Sequence, residues 1–359
     1  MTNREKEIYN LILKNPMISQ KEIAEKLGIQ RSSVGVQISN LIKKGKLKGK
    51  GYIVNEEDYI VVIGGSNIDL QGTSLEKLVY EDSNPGYVTM SLGGVARNIA
   101  ENMARLGLNI KLISVVGDDL YGKKIIEESK LTGINMDEVI ISKNSPTSTY
   151  LSILDNSGDM KLAINASDII SNVDIDYIKS NNTLIKNARC IVLDTNLDEN
   201  VLDFIFDEFS NKDIFVDTVS SIKALKLIKN LKYINTLKPN KIEAEILTGI
   251  KITDEVSLNK AVDSLHEKGV KNVYLSMGKD GVIFSNSVER KKYSNYESKL
   301  VSATGAGDAF MAGIVYSYIK HSFNSSTLYG LAMASMAINT KETINRDITS
   351  EKIEKIVLK

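Results

Sequence analysis

Ala303-Thr304-Gly305-Ala306-Gly307-Asp308-Ala309-Phe310-Met311-Ala312-Gly313 crowds small residues into one turn, adds an acid, and continues as an apolar run that reads as a helix. Two glycines and an alanine let backbone approach a ligand closely. The first turn of a helix carries N–H groups without partners and partial positive charge. Gly305, Ala306 and Gly307 therefore form a cradle for an anion, most often phosphate. Asp308 stands where that anion would be held. A carboxylate there suits the task of taking a proton from an attacking hydroxyl. The plainer alternative is a tight turn in which Asp308 caps the helix.

Working outward, the chain between residue 59 and this turn alternates strand and helix patterns. Tyr59-Ile60-Val61-Val62-Ile63 is a continuous apolar run, the mark of a buried parallel strand, and it leads into Gly64-Gly65-Ser66-Asn67-Ile68-Asp69. Asp69 can accept two hydroxyl hydrogen bonds from one sugar edge, or can simply form a turn. Leu92-Gly93-Gly94-Val95-Ala96-Arg97-Asn98-Ile99-Ala100-Glu101-Asn102 places two glycines before a helix that Gly107 closes. Arg97 either pairs with an acid or anchors substrate. Lys111 to Val116 reads as a strand, and the acids of the loop after it, Asp118 and Asp119, as helix caps. Further strands end at Asp194, at Asp217-Thr218, at Lys238-Pro239-Asn240 and at Met277-Gly278. This rhythm predicts an α/β fold with a doubly wound, mostly parallel sheet and ligands at the C-terminal strand edge. Residues 70–91 alternate weakly and read as lid strands or a substrate loop, and residues 147–165 form a β-hairpin about Asp155-Asn156-Ser157-Gly158.

Thr304-Gly305-Ala306-Gly307-Asp308-Ala309-Phe310 resembles the C-terminal signature of the PfkB, or ribokinase-like, sugar and nucleoside kinases. The Gly93-Gly94 string resembles the N-terminal signature of the same family. Its wording, Gly-Gly-Val-Ala-Arg-Asn-Ile-Ala-Glu-Asn, is especially like that of pseudouridine kinases, and Gly64 to Asp69 points the same way. The resemblance covers most of residues 59–359 and implies ATP-dependent phosphorylation of the 5′-hydroxyl of a ribosyl substrate. It implies that the hairpin of residues 147–165 belongs to a small β lid over the sugar, that Asp308 is the base and that Asn67, Asp69, Gly93, Gly94 and Asn98 bind the sugar under the lid. Thr147 and Tyr150 are expected near substrate, with packing in the lid as the alternative for Tyr150. Asn240-Lys241-Ile242-Glu243 resembles the family's Asn-x-x-Glu motif, which implies magnesium organised with Glu243. Gly278, Gly281, Thr304 and Asn339 are the expected ATP contacts. Where the family pattern opens with Asp, this chain has Ser302, which puts activation by a monovalent cation such as potassium in doubt. Lids of this kind often form dimer contacts, so a homodimer is expected. Pseudouridine is the favoured substrate; another nucleoside or a free sugar, or a sensor built on a kinase body, are the alternatives.

Residues 1–55 have a different character. Ile8, Leu11 and Ile12 recur at helical spacing, Pro16 stops that helix, and Ser19 is placed to cap the next one. Gln20 to Leu27 then runs to Gly28, and Ser32 or Ser33 is expected to open a third helix with Val34, Ile38, Leu41 and Ile42 facing inward. A lysine-rich hairpin is expected from Leu47 to Val54. The order resembles a winged helix-turn-helix domain. In that geometry Arg31, Ser32, Ser33 and Gln37 would face the DNA major groove, and Lys46, Lys48 and Lys50 would meet phosphates. A helical domain that only packs or dimerises is the alternative.

Composition fits this division. Residues 1–54 carry a net charge of +7 and the remainder −7, within a chain whose formal net charge is +0. Hydrophobic content of 42% and charged content of 25% are those of a globular protein. Cys190 is the only cysteine, which excludes internal disulfides and cysteine-based metal sites. His266 and His321 lie in polar, helix-like stretches and read as surface residues. No run approaches the length of a membrane span, and Met1 to Glu7 lacks the apolar core of a signal peptide, so a cytoplasmic location is expected.

Overall fold

The computed structural model describes residues 1–48 and 58–358. They fall into two compact units, Met1–Asp58 and Tyr59–Lys359.

The first unit holds three helices, α1 (Asn3–Lys14), α2 (Gln20–Leu27) and α3 (Arg31–Lys43). Ser19 caps α2 as part of a reciprocal box with Glu22, and Gly28 ends it with a left-handed φ of 61°. The core consists of Ile8, Ile12, Ile18, Ile23, Val34, Ile38, Leu41 and Leu47. Glu5, itself buried, receives Lys44 at 2.7 Å and so ties α1 to the end of α3. Two expectations are corrected here. The third helix opens at Arg31 with Gln30 at its cap position, which leaves Ser32 and Ser33 in the first turn. Ile42 is 39% exposed, because it falls beyond the arc that Val34, Ile38 and Leu41 bury. Arg31, Ser32 and Ser33 are exposed, as is Lys48, while Gln37 and Lys46 are half-buried. The expected hairpin beyond Lys48, with Lys50, lies outside the described residues.

The second unit is built on a ten-stranded sheet. Its first strand, β1 (Ile60–Ile63), belongs to this sheet; β2 (Asn67–Ser74) and β3 (Gly86–Gly93) belong to a second, smaller one. The large sheet continues with β4 (Ile110–Gly117), β5 (Ile134–Asn135) and β6 (Val139–Ser142), whereas β7 (Thr149–Leu154) and β8 (Met160–Ala166) join the small one. The rest belong to the large sheet: β9 (Ile191–Asp194), β10 (Ile214–Asp217), β11 (Thr236–Lys238), β12 (Asn272–Ser276), β13 (Val282–Ser285) and β14 (Arg290–Tyr293). Its order is β14-β13-β12-β11-β10-β9-β1-β4-β5, with β6 also on β4. Pairing is parallel from β4 through β12 and antiparallel at β13 and β14. β11 is shorter than its apolar run suggests, because Leu231–Tyr233 turns in a 3₁₀ helix before it.

Alternation along the central strands feeds two cores, one on each face. Val61 and Ile63, Ile191 and Leu193, and Val273 and Leu275 enter one core. Ile60 and Val62, Val192, Phe215 and Tyr274 enter the other. Both faces are covered, which is why these strands read as unbroken apolar runs. Burying each such side chain contributes roughly 1.5–3 kcal/mol.

The small sheet has the order β3-β2-β7-β8 and is the expected lid. Register separates its faces. Met90, Leu70, Leu151 and Ile164 lie in one cross-strand row, and Val88, Gly72, Ile153 and Leu162 in the next on that side. The opposite side carries Ser91, Asp69, Tyr150 and Asn165. Val88, Met90, Leu162 and Ile164 are each 45% exposed or more, so the apolar side is largely open.

Candidate active site

The glycine turn is built as its sequence requires. Gly305 adopts φ 78°, and a Cβ there would stand 2.0 Å from the Thr343 carbonyl oxygen. It is also the N-cap of the helix Ala306–Lys320. The capping alternative for Asp308 is thereby set aside, since Asp308 lies inside the first turn. Its Oδ2 accepts a hydrogen bond from Asn98 Nδ2 at 2.9 Å. Asn98 stands on α4 (Val95–Arg105), whose own start is Gly94 at φ 95°.

Arg97 resolves toward structure. Its buried guanidinium pairs with Glu101, and Nη1 donates to Asn98 Oδ1 at 3.1 Å. That second bond fixes which end of the Asn98 amide faces Asp308. Asp69 lies on β2, where its carboxylate accepts from Asn67 Nδ2. A Cβ on Gly93 would come within 2.4 Å of that carboxylate, so this glycine makes room for it. Burial pushes the Asp69 carboxyl upward against the pull of Asn67 and Arg97.

Asp194 and Lys238 were legible only as strand ends. Asp194, Asp217 and Lys238 are directly opposite one another across β9, β10 and β11. Lys238 Nζ lies 3.0 Å from Asp217 Oδ2 and 3.3 Å from where a Gly307 Cβ would stand. A buried ammonium thus sits beside the anion cradle. Burial opposes its charge, but Asp217, with Asp308 and Glu243, outweighs that effect and raises its proton affinity. Asp194 is fully buried and accepts three backbone N–H groups. The signal that finds both residues is the polar side chain that ends a buried parallel strand.

Asp308 feels all three charges. Burial and Asp217 push its carboxyl up to about 8, against the Asn98 hydrogen bond and Lys238, with Asp194 adding to the rise. The residue retains a solvent-facing side.

Several expected residues have internal partners. Thr147 is buried; its hydroxyl donates to Asp119 at 2.6 Å and accepts from the Gly117 N–H at 2.9 Å. Asp119 in turn caps the helix Leu120–Leu131, as its position suggests. Asn240 and Glu243 form a reciprocal cap of the helix Lys241–Thr248, and Glu243 also receives the Thr218 hydroxyl. Gly278 and Gly281 have φ 59° and 88° in a turn between β12 and β13. Thr304 is exposed and donates its N–H to Ser302 Oγ at 3.2 Å. Asn339 follows the helix Ser326–Ala337 instead of lying within it, because that helix stops two residues earlier. The neighbouring Ile338 carbonyl accepts from Val301 and Ser302, which fastens this segment to the glycine turn. His266 is not a free surface residue: it bonds the Val270 carbonyl and Ser285. Among the described residues no three acids or histidines cluster as a metal cage.

The site thus holds a carboxylate, Asp308, in the first turn of a helix, with the buried ammonium of Lys238 beside the same turn. Residues 57–350 match the pfkB family carbohydrate kinase model, and the chain belongs to that family. Residues 1–48 match a winged helix-turn-helix DNA-binding model.

The chain is 38% identical to an uncharacterized sugar kinase of Escherichia coli, YeiI, over 94% of both proteins. It is also 38% identical to the pseudouridine kinase of Escherichia coli, over 85% of this chain and 98% of that one. A solved Clostridium perfringens structure superposes with a TM-score of 0.76 at 36% identity, covering 85% of this chain and 96% of the other.

The raised Asp308 carboxyl makes a prediction about stability. A carboxyl that holds its proton more tightly when folded favours the folded state at low pH. That contribution is lost as pH rises from the ordinary carboxylate value of 3.8 through about 8. Asp308→Asn does not titrate there. Its unfolding free energy relative to wild type should therefore improve steadily across that window. Urea denaturation at a series of pH values reads this, and a pH-independent difference would contradict it.

Proposed function

We propose that the second unit transfers the γ-phosphoryl group of ATP to the primary hydroxyl of a ribosyl substrate, with pseudouridine as acceptor and pseudouridine 5′-phosphate as product. The observation that carries this reading is Asp308 held by Asn98 at the mouth of the glycine turn, with Lys238 beside it. Asp69, Gly93, Gly94 and Asn98 hold the sugar. Asp308 takes the proton of the 5′-hydroxyl, and the oxygen then attacks the γ-phosphorus in line. An alcohol needs a base whose proton affinity lies near working pH, and the surroundings of Asp308 move it that way. N–H groups of Gly305, Ala306 and Gly307, with Lys238, stabilise charge on the transferring group.

Gly278, Gly281, Thr304 and Asn339 are assigned to the nucleotide. Oxygen donors at Asn240 and Glu243 suit magnesium, which keeps most of its waters and needs few protein ligands. When bound, it neutralises phosphate charge. Thr147 acts on substrate at most through its grip on the loop at Gly117. Ser302 supplies a neutral hydroxyl where the family pattern has an acid, so turnover without potassium is consistent with this chain. Pseudouridine is supported over other acceptors by the Gly93 to Asn102 wording and by the relative of that name.

The first unit supports a second activity, DNA binding through the exposed first turn of α3, with Arg31, Ser32 and Ser33 leading and Gln37, Lys46 and Lys48 behind them. Its charge of +7 over residues 1–54 favours a polyanion. The open apolar side of the lid supports a homodimer. Among the described residues no helix is long and apolar enough to cross a membrane; membership of the carbohydrate kinase family supports a cytoplasmic enzyme.

Asp308→Ala should lower turnover by about 10²–10⁴ while ATP binding persists. An ATP-consumption screen over nucleosides and sugars should give pseudouridine the highest kcat/KM; a better free sugar would move the assignment. DNA affinity should fall steeply between about 50 and 200 mM salt, and no shift of random-sequence or genomic DNA at low salt would remove that activity. Sedimentation should find a dimer that Leu162→Lys, on the open lid face, converts to monomer. A monomeric wild type at micromolar concentration would exclude the dimer.

A further inference from the structure

We propose that Asp194 is the positioning residue of this site, a single carboxylate from which both arms of the acceptor clamp are hung. The inference rests on the reading of Asp69, Asn98 and Asp308 given above and adds the group that sets their spacing.

Asp194 ends β9 and is fully buried. Its Oδ2 accepts the Gly65 N–H at 2.9 Å and the Ala96 N–H at 2.9 Å. Its Oδ1 accepts the Asn196 N–H at 2.9 Å. No cation pairs with it among the described residues; burial pushes its carboxyl upward against the Asn196 side chain and three backbone donors. A buried acid held this way is costly to keep, and nothing in the proposed chemistry uses it directly.

What the carboxylate joins explains its retention. Gly65 lies two residues before Asn67 and four before Asp69, the arm that reaches the sugar from β2. Ala96 lies two residues before Asn98, the arm that reaches Asp308 from α4. One oxygen atom thus fixes the start of both. The junction is reinforced by the Arg97 N–H, which donates to the Gly65 carbonyl at 3.3 Å. Gly94 lies so close to Gly65 that a Cβ there would be 2.3 Å from the Gly65 oxygen. Gly64 is shaped by the same group, since its Cβ would stand 2.4 Å from Asp194 Cγ. The ATP side does not hang from this carboxylate: Asn240, Gly278 and Gly281 belong to segments after β11 and β12. Loss of Asp194 should therefore act on the acceptor and spare the nucleotide.

The test uses the full chain with ATP and pseudouridine, or whichever acceptor the screen identifies. Orphaning three backbone N–H groups, those of Gly65 and Ala96 among them, should raise KM for the acceptor by roughly 10²-fold in Asp194→Ala, and about tenfold in Asp194→Asn, which keeps one acceptor oxygen. KM for ATP should stay within about threefold, on the scale of one exposed contact. Gly64→Ala pushes on the carboxylate from the other side and should give the same acceptor-selective loss, which covers the case in which Asp194→Ala does not fold. Hydrogen exchange should show faster amide loss at residues 64–66 and 95–98 in both variants. An acceptor KM within twofold of wild type in Asp194→Asn and Gly64→Ala would overturn the assignment. So would equal losses for acceptor and ATP, which mark a general scaffold role. Failure of the kinase reading shows separately, as a wild type that phosphorylates nothing in the screen.

Discussion

A carboxylate placed above two other carboxylates will hold its proton unless donors and a cation oppose them. Asp308 is in that position, with Asp217 and Asp194 beneath it and with Asn98 and Lys238 opposing them. The hydrogen bond from Asn98 joins α4 to the helix that begins at Ala306. Its direction matters as much as its length. Arg97 occupies the Asn98 oxygen, so the amide presents its N–H₂ to Asp308. The Arg97–Glu101 pair is buried and would be a weak source of stability alone. Its use here is orientation.

The row Asp194, Asp217, Lys238 shows why such a site forms at this edge of the sheet. In a parallel sheet, residues in register at the C-terminal ends of neighbouring strands lie side by side with no further strand to cover them. Each can be polar without disrupting the core below. Here the row alternates tasks. Asp194 carries backbone, Lys238 faces the anion cradle, and Asp217 between them tunes the lysine. Beyond its burial, the proton affinity of Asp308 therefore depends on strand ends that lie distant in sequence.

This distribution explains what could be read from the chain and what could not. The strands were legible because both faces are buried, and the head helices because Ser19 and Gly28 punctuate them. Asp308, Asp69 and Asn98 were legible because each sits beside glycines whose absence of Cβ implies a close neighbour. Lys238 and Asp194 were not, since a lone polar residue after an apolar run has many uses and only register brings these together. Thr147 is the opposite case. A hydroxyl in a lid loop suggests substrate, and in the fold the half-buried Asp119 and the Gly117 N–H bond it. Glu243 is intermediate: its spacing from Asn240 suits both a metal motif and a capping box, and the fold makes the capping box. Ile42 was misassigned because three inward residues on a short helix leave the width of the apolar stripe open.

The glycines carry the last step. Gly64, Gly93 and Gly94 each stand where a Cβ would fall within 2.6 Å of a carboxylate or carbonyl, and Gly305 repeats this on the phosphate side. Such positions act as sockets. The group that fills Gly64 is Asp194, the one that fills Gly93 is Asp69, and the one that fills Gly305 is the Thr343 carbonyl. A side chain at any of them would displace a functional or positioning group before it disturbed the core. Loss of activity without loss of fold is the expected consequence of crowding this turn. The small residues that read as a phosphate cradle in the sequence thus serve a second purpose, which is to let acids and carbonyls from three separate segments approach the backbone closely.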